Sequence, residues 1–309
     1  MLYNGEGIPM NKKEASVYYQ LAADLGHVAS MNTYGTMLRK GDGIQCDKKE
    51  AARYLKKSAD LGDSFAMNSY GIMLSEGDGI EIDKKEAARY LKMSADSGNA
   101  YAMFNYGIML REGDGIKMNK KEAARYLKMA ADKGDTDAMN SYGVMLRDGD
   151  GILINKSEAA RYFKMAASQG IVMAMYNYAI MLKTGVGVPV DKKEAARYFK
   201  MAAENGDMLS VRNYAMMTMQ GDGIPVNKAE AAIYYKIIAD VEKDINFIYD
   251  YAVMLKIGDG IQTNKKEAAK YFKIAADMGH LESIYNYAEM LDYGHGVSSD
   301  KKEALKLYK

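Results

Sequence analysis

The sequence predicts an all-α fold, a right-handed α-solenoid superhelix of about eight 36-residue helix-turn-helix repeats. Two observations support this prediction. Tyrosine recurs every 36 residues, with one extra residue before the last two copies, at Tyr34, Tyr70, Tyr106, Tyr142, Tyr178, Tyr214, Tyr251 and Tyr287. A Gly-x-Gly sequence recurs nine times in the same register, beginning at Gly5, Gly41, Gly77, Gly113, Gly149, Gly185, Gly221, Gly258 and Gly294.

The copy over residues 64–98 shows the first helix of a repeat, which we name helix A. Its apolar residues Ala66, Tyr70 and Leu74 fall at i, i+4 and i+8, which places them on one face of a helix. Gly77 is expected to end helix A, because glycine adopts the left-handed cap conformation without a side-chain clash.

The second helix of the copy, helix B, begins after Asp83. Asp83 is expected to cap the free amides, and Glu86, three residues on, to close a capping box. The stripe expected to be buried is Ala87, Ala88, Leu91 and Ala95. Helices this short are marginal alone, so each repeat needs the apolar faces of its neighbours.

These residues resemble the Sel-one-like repeats (SLR), which are relatives of the tetratricopeptide repeats, over essentially the whole chain. The positions of the family pattern are occupied here by Ala66, Gly71, Gly77, Gly79, Ala87, Ala95 and Gly98. The chain departs from the pattern where Tyr70 and Leu74 exchange places, where Tyr90 stands for tryptophan and where Ser94 replaces an alanine. The resemblance implies an adaptor or scaffold that assembles other proteins, with helix A lining a concave groove.

Composition narrows the range of functions. Lys plus Arg number 42 against 41 Asp plus Glu, and the net charge of +1 favours neither nucleic acid nor a charged membrane as partner. Cys46 is the single cysteine, so no internal disulfide and no thiolate cluster for metal is possible. A reducing compartment fits best, and we expect a cytoplasmic protein, with endoplasmic-reticulum association if a longer protein carries targeting segments.

The chain is expected to be a single solenoid over residues 1–309, truncated at both ends. Met1 aligns with Met73, an internal methionine of helix A, and Lys309 aligns with Lys92, before the end of helix B. An irregular seam is expected at 240–250, where the closing glycine is absent and one residue is inserted.

No catalytic, metal or cofactor site is predicted. The Gly-x-Gly sequences lack the third glycine and the strand of a nucleotide-binding motif. The stretch at 148–151 lacks the further ligands of a calcium loop. His27 and His280 occupy the cap position of helix A, and His295 lies in a turn. The sequence therefore predicts a protein that is not an enzyme and shows no evident small-molecule substrate.

Lysine pairs open helix B, at Lys48-Lys49, Lys84-Lys85, Lys120-Lys121 and Lys192-Lys193. Cations at a helix N-terminus oppose its dipole, so packing does not require them. Two interpretations stay open at this stage. The pairs either form a solvated rim balanced by aspartates in the adjoining turns, or form a basic edge for an acidic partner.

The helix A face that points away from the core is the predicted binding surface. Its residues are Phe104, Ile108, Arg111, Val144, Arg147, Tyr176, Ile180, Lys183, Tyr249, Val253 and Lys256. An aliphatic row between aromatic and cationic rows suits a protein or peptide segment with apolar anchors and acidic flanks. The alternative is that these side chains only contact the neighbouring helix A.

The predicted function is a non-catalytic protein-protein interaction scaffold that binds partner segments in the concave groove, with no nucleic acid or membrane partner. Two narrower alternatives, drawn from the family resemblance, are an adaptor of endoplasmic-reticulum-associated degradation and a regulatory repeat region of a larger signalling protein such as a kinase.

Overall fold

A computed structural model describes residues 2–5, 7 and 9–309 of the chain. The described residues form 17 α-helices and no strand. The helices are α1 (Lys12–Asp24), α2 (Val28–Lys40), α3 (Lys48–Asp60), α4 (Ser64–Glu76), α5 (Lys84–Asp96), α6 (Ala100–Glu112), α7 (Lys120–Asp132), α8 (Thr136–Asp148), α9 (Lys156–Ser168), α10 (Val172–Thr184), α11 (Lys192–Glu204), α12 (Met208–Gln220), α13 (Lys228–Val241), α14 (Ile245–Ile257), α15 (Lys265–Asp277), α16 (Leu281–Tyr293) and α17 (Lys301–Leu307).

The helices group into two compact units, Met1–Ala166 and Ala167–Lys309. Even-numbered helices are copies of helix A and odd-numbered helices are copies of helix B. Consecutive helices pack against one another from α1 to α8 in the first unit and from α10 to α17 in the second. Each unit is therefore a stack of helical hairpins, which confirms the predicted all-α solenoid class. Across the described residues, every helix is too short or too polar to cross a bilayer.

The core of each repeat is the one that the periodicity predicts. Ala66, Tyr70 and Leu74 of α4 are buried, and so is the predicted stripe of α5. The methionine of helix A is also buried in every described copy, at Met37, Met73, Met109, Met145, Met181, Met217, Met254 and Met290. In seven repeats the helix A tyrosine meets a helix B tyrosine edge to face, as Tyr70 and Tyr90 do at 5.0 Å between ring centroids. Such pairs stabilise the hairpin beyond the area that they bury.

The N-terminus of helix B is capped as predicted, but the capping box does not form. The Glu86 backbone N–H donates to the Asp83 carboxylate at 2.9 Å. The Glu86 carboxylate, however, accepts from Arg89 at 2.9 and 2.6 Å. It is not needed at the cap, because the Asp83 N–H already donates to the Leu74 carbonyl of helix A at 2.9 Å.

The two glycines of each Gly-x-Gly sequence have different roles. Gly77 ends α4 in the left-handed conformation, with φ 71°, as predicted. Gly79, with φ 82°, faces the preceding repeat, where a Cβ atom would lie 2.4 Å from Lys48 Cβ and 2.8 Å from the Lys48 backbone carbon. The second glycine therefore permits close packing between repeats, a role that the sequence analysis did not predict.

The irregular stretch near residue 240 has a defined local structure. Helix α13 has 14 residues where the neighbouring helices have 13, and Lys243 adopts a left-handed φ of 53°. Arg212 of α12 binds both Glu242 and Asp244 of this connection. Because Asp244 also caps α14, the same ion pairs hold the start of the next helix A.

A hydrogen bond joins the B helices of successive repeats. The Tyr126 hydroxyl donates to the Asp96 carboxylate at 2.7 Å, and Tyr271 binds Asp240 in the same way at 2.7 Å in the second unit. The aspartate is at or near the C-terminal end of its helix, where a negative charge is unfavourable to the helix dipole. The bond gives a physical reason for an acidic residue at this position.

We expect Asp96→Ala to lower the free energy of unfolding by about 1–3 kcal/mol. The substitution removes the acceptor of a hydroxyl on Tyr126, which is only 1% exposed. Chemical denaturation measures the loss. In the double variant with Tyr126→Phe the unpaired hydroxyl is gone, so the combined loss should be smaller than the sum of the two single losses. Strict additivity would contradict this account.

Candidate functional site

The predicted binding residues all lie on copies of helix A and all are half-buried. In the first unit, α6 carries Phe104, Ile108 and Arg111, and α8 carries Val144 and Arg147. In the second unit, α10 carries Tyr176, Ile180 and Lys183, and α14 carries Tyr249, Val253 and Lys256. We call this side of the even-numbered helices the helix A face.

A groove lies on the helix A face between α4 and α6. Its volume is about 300 Å³, and it is lined by Ile72, Ser75, Glu76, Leu91, Phe104, Asn105, Ile108, Met109, Glu112 and Asp114. Two predicted residues, Phe104 and Ile108, thus meet Ile72 of the preceding repeat on an apolar floor. At this face Asn105 Nδ2 donates to Asn68 Oδ1 at 3.0 Å, which ties α6 to α4.

The cationic residues of the helix A face have partners within the chain. Arg111 Nε donates to Asp150 Oδ2 at 2.8 Å, in the turn of the next repeat. Lys256 Nζ binds Glu289 at 2.6 Å and Asn286 at 2.9 Å. These cations therefore help to join repeats. The sequence analysis predicted them only as a cationic row for partner binding.

The same turn aspartate also binds the first lysine of helix B. Lys48 and Arg39 both bind Asp78, at 2.7 and 2.6 Å, and together they hold the pKa of this carboxyl below its usual value. Lys120 and Arg111 do the same for Asp150. The first lysine of these pairs is thus balanced by a turn aspartate, in agreement with the first of the two interpretations.

The second lysine of two pairs borders a crevice on the helix B side. In the first unit a space of about 540 Å³ is lined by Lys121, Arg125, Lys128 and Tyr142, together with Glu122. The second unit has the corresponding crevice of about 490 Å³, with Tyr214 among its lining residues. Sequence reasoning proposed a basic edge here but did not find the crevices, because the side chains that line each of them come from two repeats.

The helix A face of the second unit is richer in aromatic side chains. The Tyr176 ring lies 6.1 Å from Phe199, and the Tyr249 ring lies 4.6 Å from the His280 ring. His280 is occupied as the cap of α16, since its Nδ1 accepts the Ser283 N–H at 3.2 Å. Among the residues that the structure describes, no group of three His, Cys, Asp or Glu side chains could hold a metal ion.

These features define a class of protein: stacked helical hairpins whose side chains meet mostly between neighbouring repeats. The Sel1 repeat model matches residues 1–27, 28–63, 64–99, 100–135, 136–171, 172–207, 210–240, 246–280 and 281–309. The chain belongs to the Sel1 repeat family. Repeats of this kind generally mediate protein-protein interactions, and their fold is generally a non-catalytic scaffold.

Two solved bacterial structures illustrate the likeness in fold. A protective antigen present in uropathogenic Escherichia coli strains is 22% identical with a TM-score of 0.70, over 99% of this chain and 73% of the antigen. A Sel1 repeat protein from Oxalobacter formigenes is 23% identical with a TM-score of 0.64, over 94% of this chain and 84% of that protein. No curated protein sequence matches the chain. At these identities the likeness shows the fold alone.

Proposed function

We propose that the chain is a non-catalytic scaffold that binds a segment of a partner protein on its helix A face. The groove between α4 and α6 carries this proposal. Ile72, Phe104 and Ile108 place aliphatic and aromatic side chains side by side on a surface where single apolar residues would be ordinary. Apolar anchors of a partner would bury this floor and gain the free energy of removing it from water.

The second unit offers apolar side chains at the same positions. Ile180, Met216 and Val253 occupy the slot of Ile72 on α10, α12 and α14. Met216 is 41% exposed although it is a large apolar residue. Tyr176 and Tyr249 occupy the slot of Asn68 and supply rigid aromatic area, which is typical of residues that dominate interface energetics.

The proposal depends more on apolar side chains of the partner than on its acidic ones. The expectation of acidic flanks in the partner depends on Arg111, Arg147, Lys183 and Lys256. Arg111 and Lys256 already pair with carboxylates of the chain, while Lys183 binds the neutral Asn213 side chain at 3.1 Å. Acidic flanks therefore remain a prediction, with Lys183 as the cation most suited to them.

The combined substitution Phe104→Ala and Ile108→Ala should weaken partner capture by the full chain about tenfold or more, because it removes two central anchors. Tagged chain and variant would be compared by affinity purification from native extract with quantitative mass spectrometry. The captured partners would also separate the degradation-adaptor alternative from the signalling alternative.

The matched control is Met93→Ala with Met129→Ala, which removes two partly exposed apolar side chains, 39% and 38%, from helix B. Circular dichroism would verify that both variants keep their helices. Capture that is lost equally in both variants, or in neither, would show that the helix A face of the first unit is not the binding surface.

A further inference from the structure

A row of arginines crosses the helix A face of the first unit and is interrupted once. Arg39 of α2 reaches Asp78 in the turn of the next repeat, and Arg111 of α6 reaches Asp150 in the same way. The corresponding residue of α4 is Ser75, whose side chain is too short to reach Asp114. Among the residues that the structure describes, only Lys84 binds the Asp114 carboxylate, at 2.6 Å.

Because α4 carries serine and not arginine at position 75, Asp114 is more exposed than the equivalent aspartates and a groove lies beside it. The side chain of Asp114 is 34% exposed, whereas those of Asp78 and Asp150 are 13% and 18% exposed beneath their arginines. The groove of about 300 Å³ lies at this place, and both Ser75 and Asp114 line it. The groove therefore lies where the side chain of an arginine would lie if α4 carried one at position 75, as α2 and α6 do at the corresponding positions.

The chemistry of the groove suits a guanidinium group. Glu76, Glu112 and Asp114 supply three carboxylates, and the lining includes no cation. A guanidinium forms paired hydrogen bonds with carboxylates and stacks on aromatic faces, and Phe104 supplies such a ring. The ammonium of lysine is a compact point charge that gains less from a flat apolar floor.

The surrounding charges leave the groove with a net attraction for a cation. Arg39 forms an ion pair with Glu76 at 3.3 Å but also pairs with Asp78, and Lys84 pairs with Asp114. Glu112 is exposed and has no ion-pair partner among the described residues. A partner carboxylate would meet like charge here, so the acidic flanks expected from the sequence do not fit this part of the surface.

We propose that the groove between α4 and α6 binds an arginine side chain of the partner protein, which fills the place that Ser75 leaves vacant. The partner arginine pairs with a turn aspartate of this chain, as Arg39 and Arg111 pair with turn aspartates within it. This inference rests on the proposed function, since it names the chemistry of the segment bound at the same face. It also explains why one repeat of the first unit carries serine where its neighbours carry arginine.

The test uses the full chain with ¹³C-labelled isoleucine methyl groups and N-acetyl-arginine amide as the probe. Ile72 and Ile108 line the groove, so their methyl resonances report on its occupation. We expect saturable chemical-shift changes at these two residues. N-acetyl-citrulline amide keeps the shape and lacks the charge, so its affinity should be lower by about tenfold or more. N-acetyl-lysine amide is the third probe.

Two variants at one position provide the control. Ser75→Arg should complete the row, cover Asp114 and abolish the shifts, while Ser75→Ala should keep the groove open and retain them. Absence of shifts in the native chain, or equal shifts with citrulline or in the Ser75→Arg chain, would overturn the proposal. Equal affinity for the arginine and lysine probes would overturn its guanidinium specificity.

The arginine site and the scaffold surface are tested independently of each other. If the probe binds at Ile72 and Ile108 but partner capture does not depend on Phe104 and Ile108, the scaffold surface is wrong and the arginine site stands. If capture depends on Phe104 and Ile108 but is unchanged by Ser75→Arg, the scaffold stands and the arginine anchor is wrong.

Discussion

Replacing Gly151 with alanine should lower the free energy of unfolding by about 2–5 kcal/mol. Gly151 has φ 78°, a conformation that costs an alanine free energy in any surroundings. Its added Cβ would also lie 2.4 Å from Lys120 Cβ and 2.8 Å from the Lys120 backbone carbon. Because one of these atoms belongs to the backbone of α7, relief requires the turn and the helix of the preceding repeat to separate.

Gly134→Ala is the matched control, because it isolates the conformational cost. Gly134 also has a left-handed φ, 95°, but nothing lies within 4 Å of its added Cβ. We expect a loss of about 1–2 kcal/mol there. Thermal and urea unfolding of the two variants would measure the difference, and hydrogen exchange should show the extra opening of Gly151→Ala at the contact with α7. Equal losses would mean that this contact adds nothing to stacking.

The helices and their buried faces could be predicted because the necessary information is local. Ala66, Tyr70 and Leu74 show the helical period within one segment, and Gly77 marks the end of the same segment. The sequence also repeats, so several copies carry the same local pattern. The role of the second glycine could not be predicted for the opposite reason, since Gly79 contacts Lys48 of a different repeat.

The predicted surface shows the same division between local and long-range information. The period alone places Phe104 and Ile108 on the outward side of helix A, and the structure brings them together with Ile72 in the groove. The pairing of Arg111 with Asp150 could not be predicted, because it depends on the reach of a long side chain across a repeat boundary. The serine at position 75 is visible in the sequence, but its meaning requires that pairing to be known.

Raising the pH above about 10 should unfold the chain cooperatively, because many tyrosines have a raised pKa in the folded state. Burial raises the pKa of Tyr214 to about 12, with help from its hydrogen bond to Glu230. Burial, followed by hydrogen bonds to Asp60 and Asp96, raises the pKa of Tyr90 and Tyr126. A raised folded pKa means that the folded chain holds its protons more tightly than the unfolded chain. The stabilisation is complete below the unfolded pKa of about 10 and is lost as the pH rises through the folded value.

Each such tyrosine can remove up to about 1.4 kcal/mol of stability per pH unit, so several of them acting together exceed the stability of a typical domain. Circular dichroism and tyrosinate absorbance, recorded on one sample against pH, should change together. Tyr90→Phe should make the loss of stability with pH shallower by one proton. Lysines such as Lys92, whose pKa is raised by its hydrogen bond to Asp96, also lose their pairing in this range. Salt screens those exposed pairs but not the burial of the tyrosine hydroxyls, so a transition that persists at high salt comes from the tyrosines, and one that salt removes would contradict the prediction.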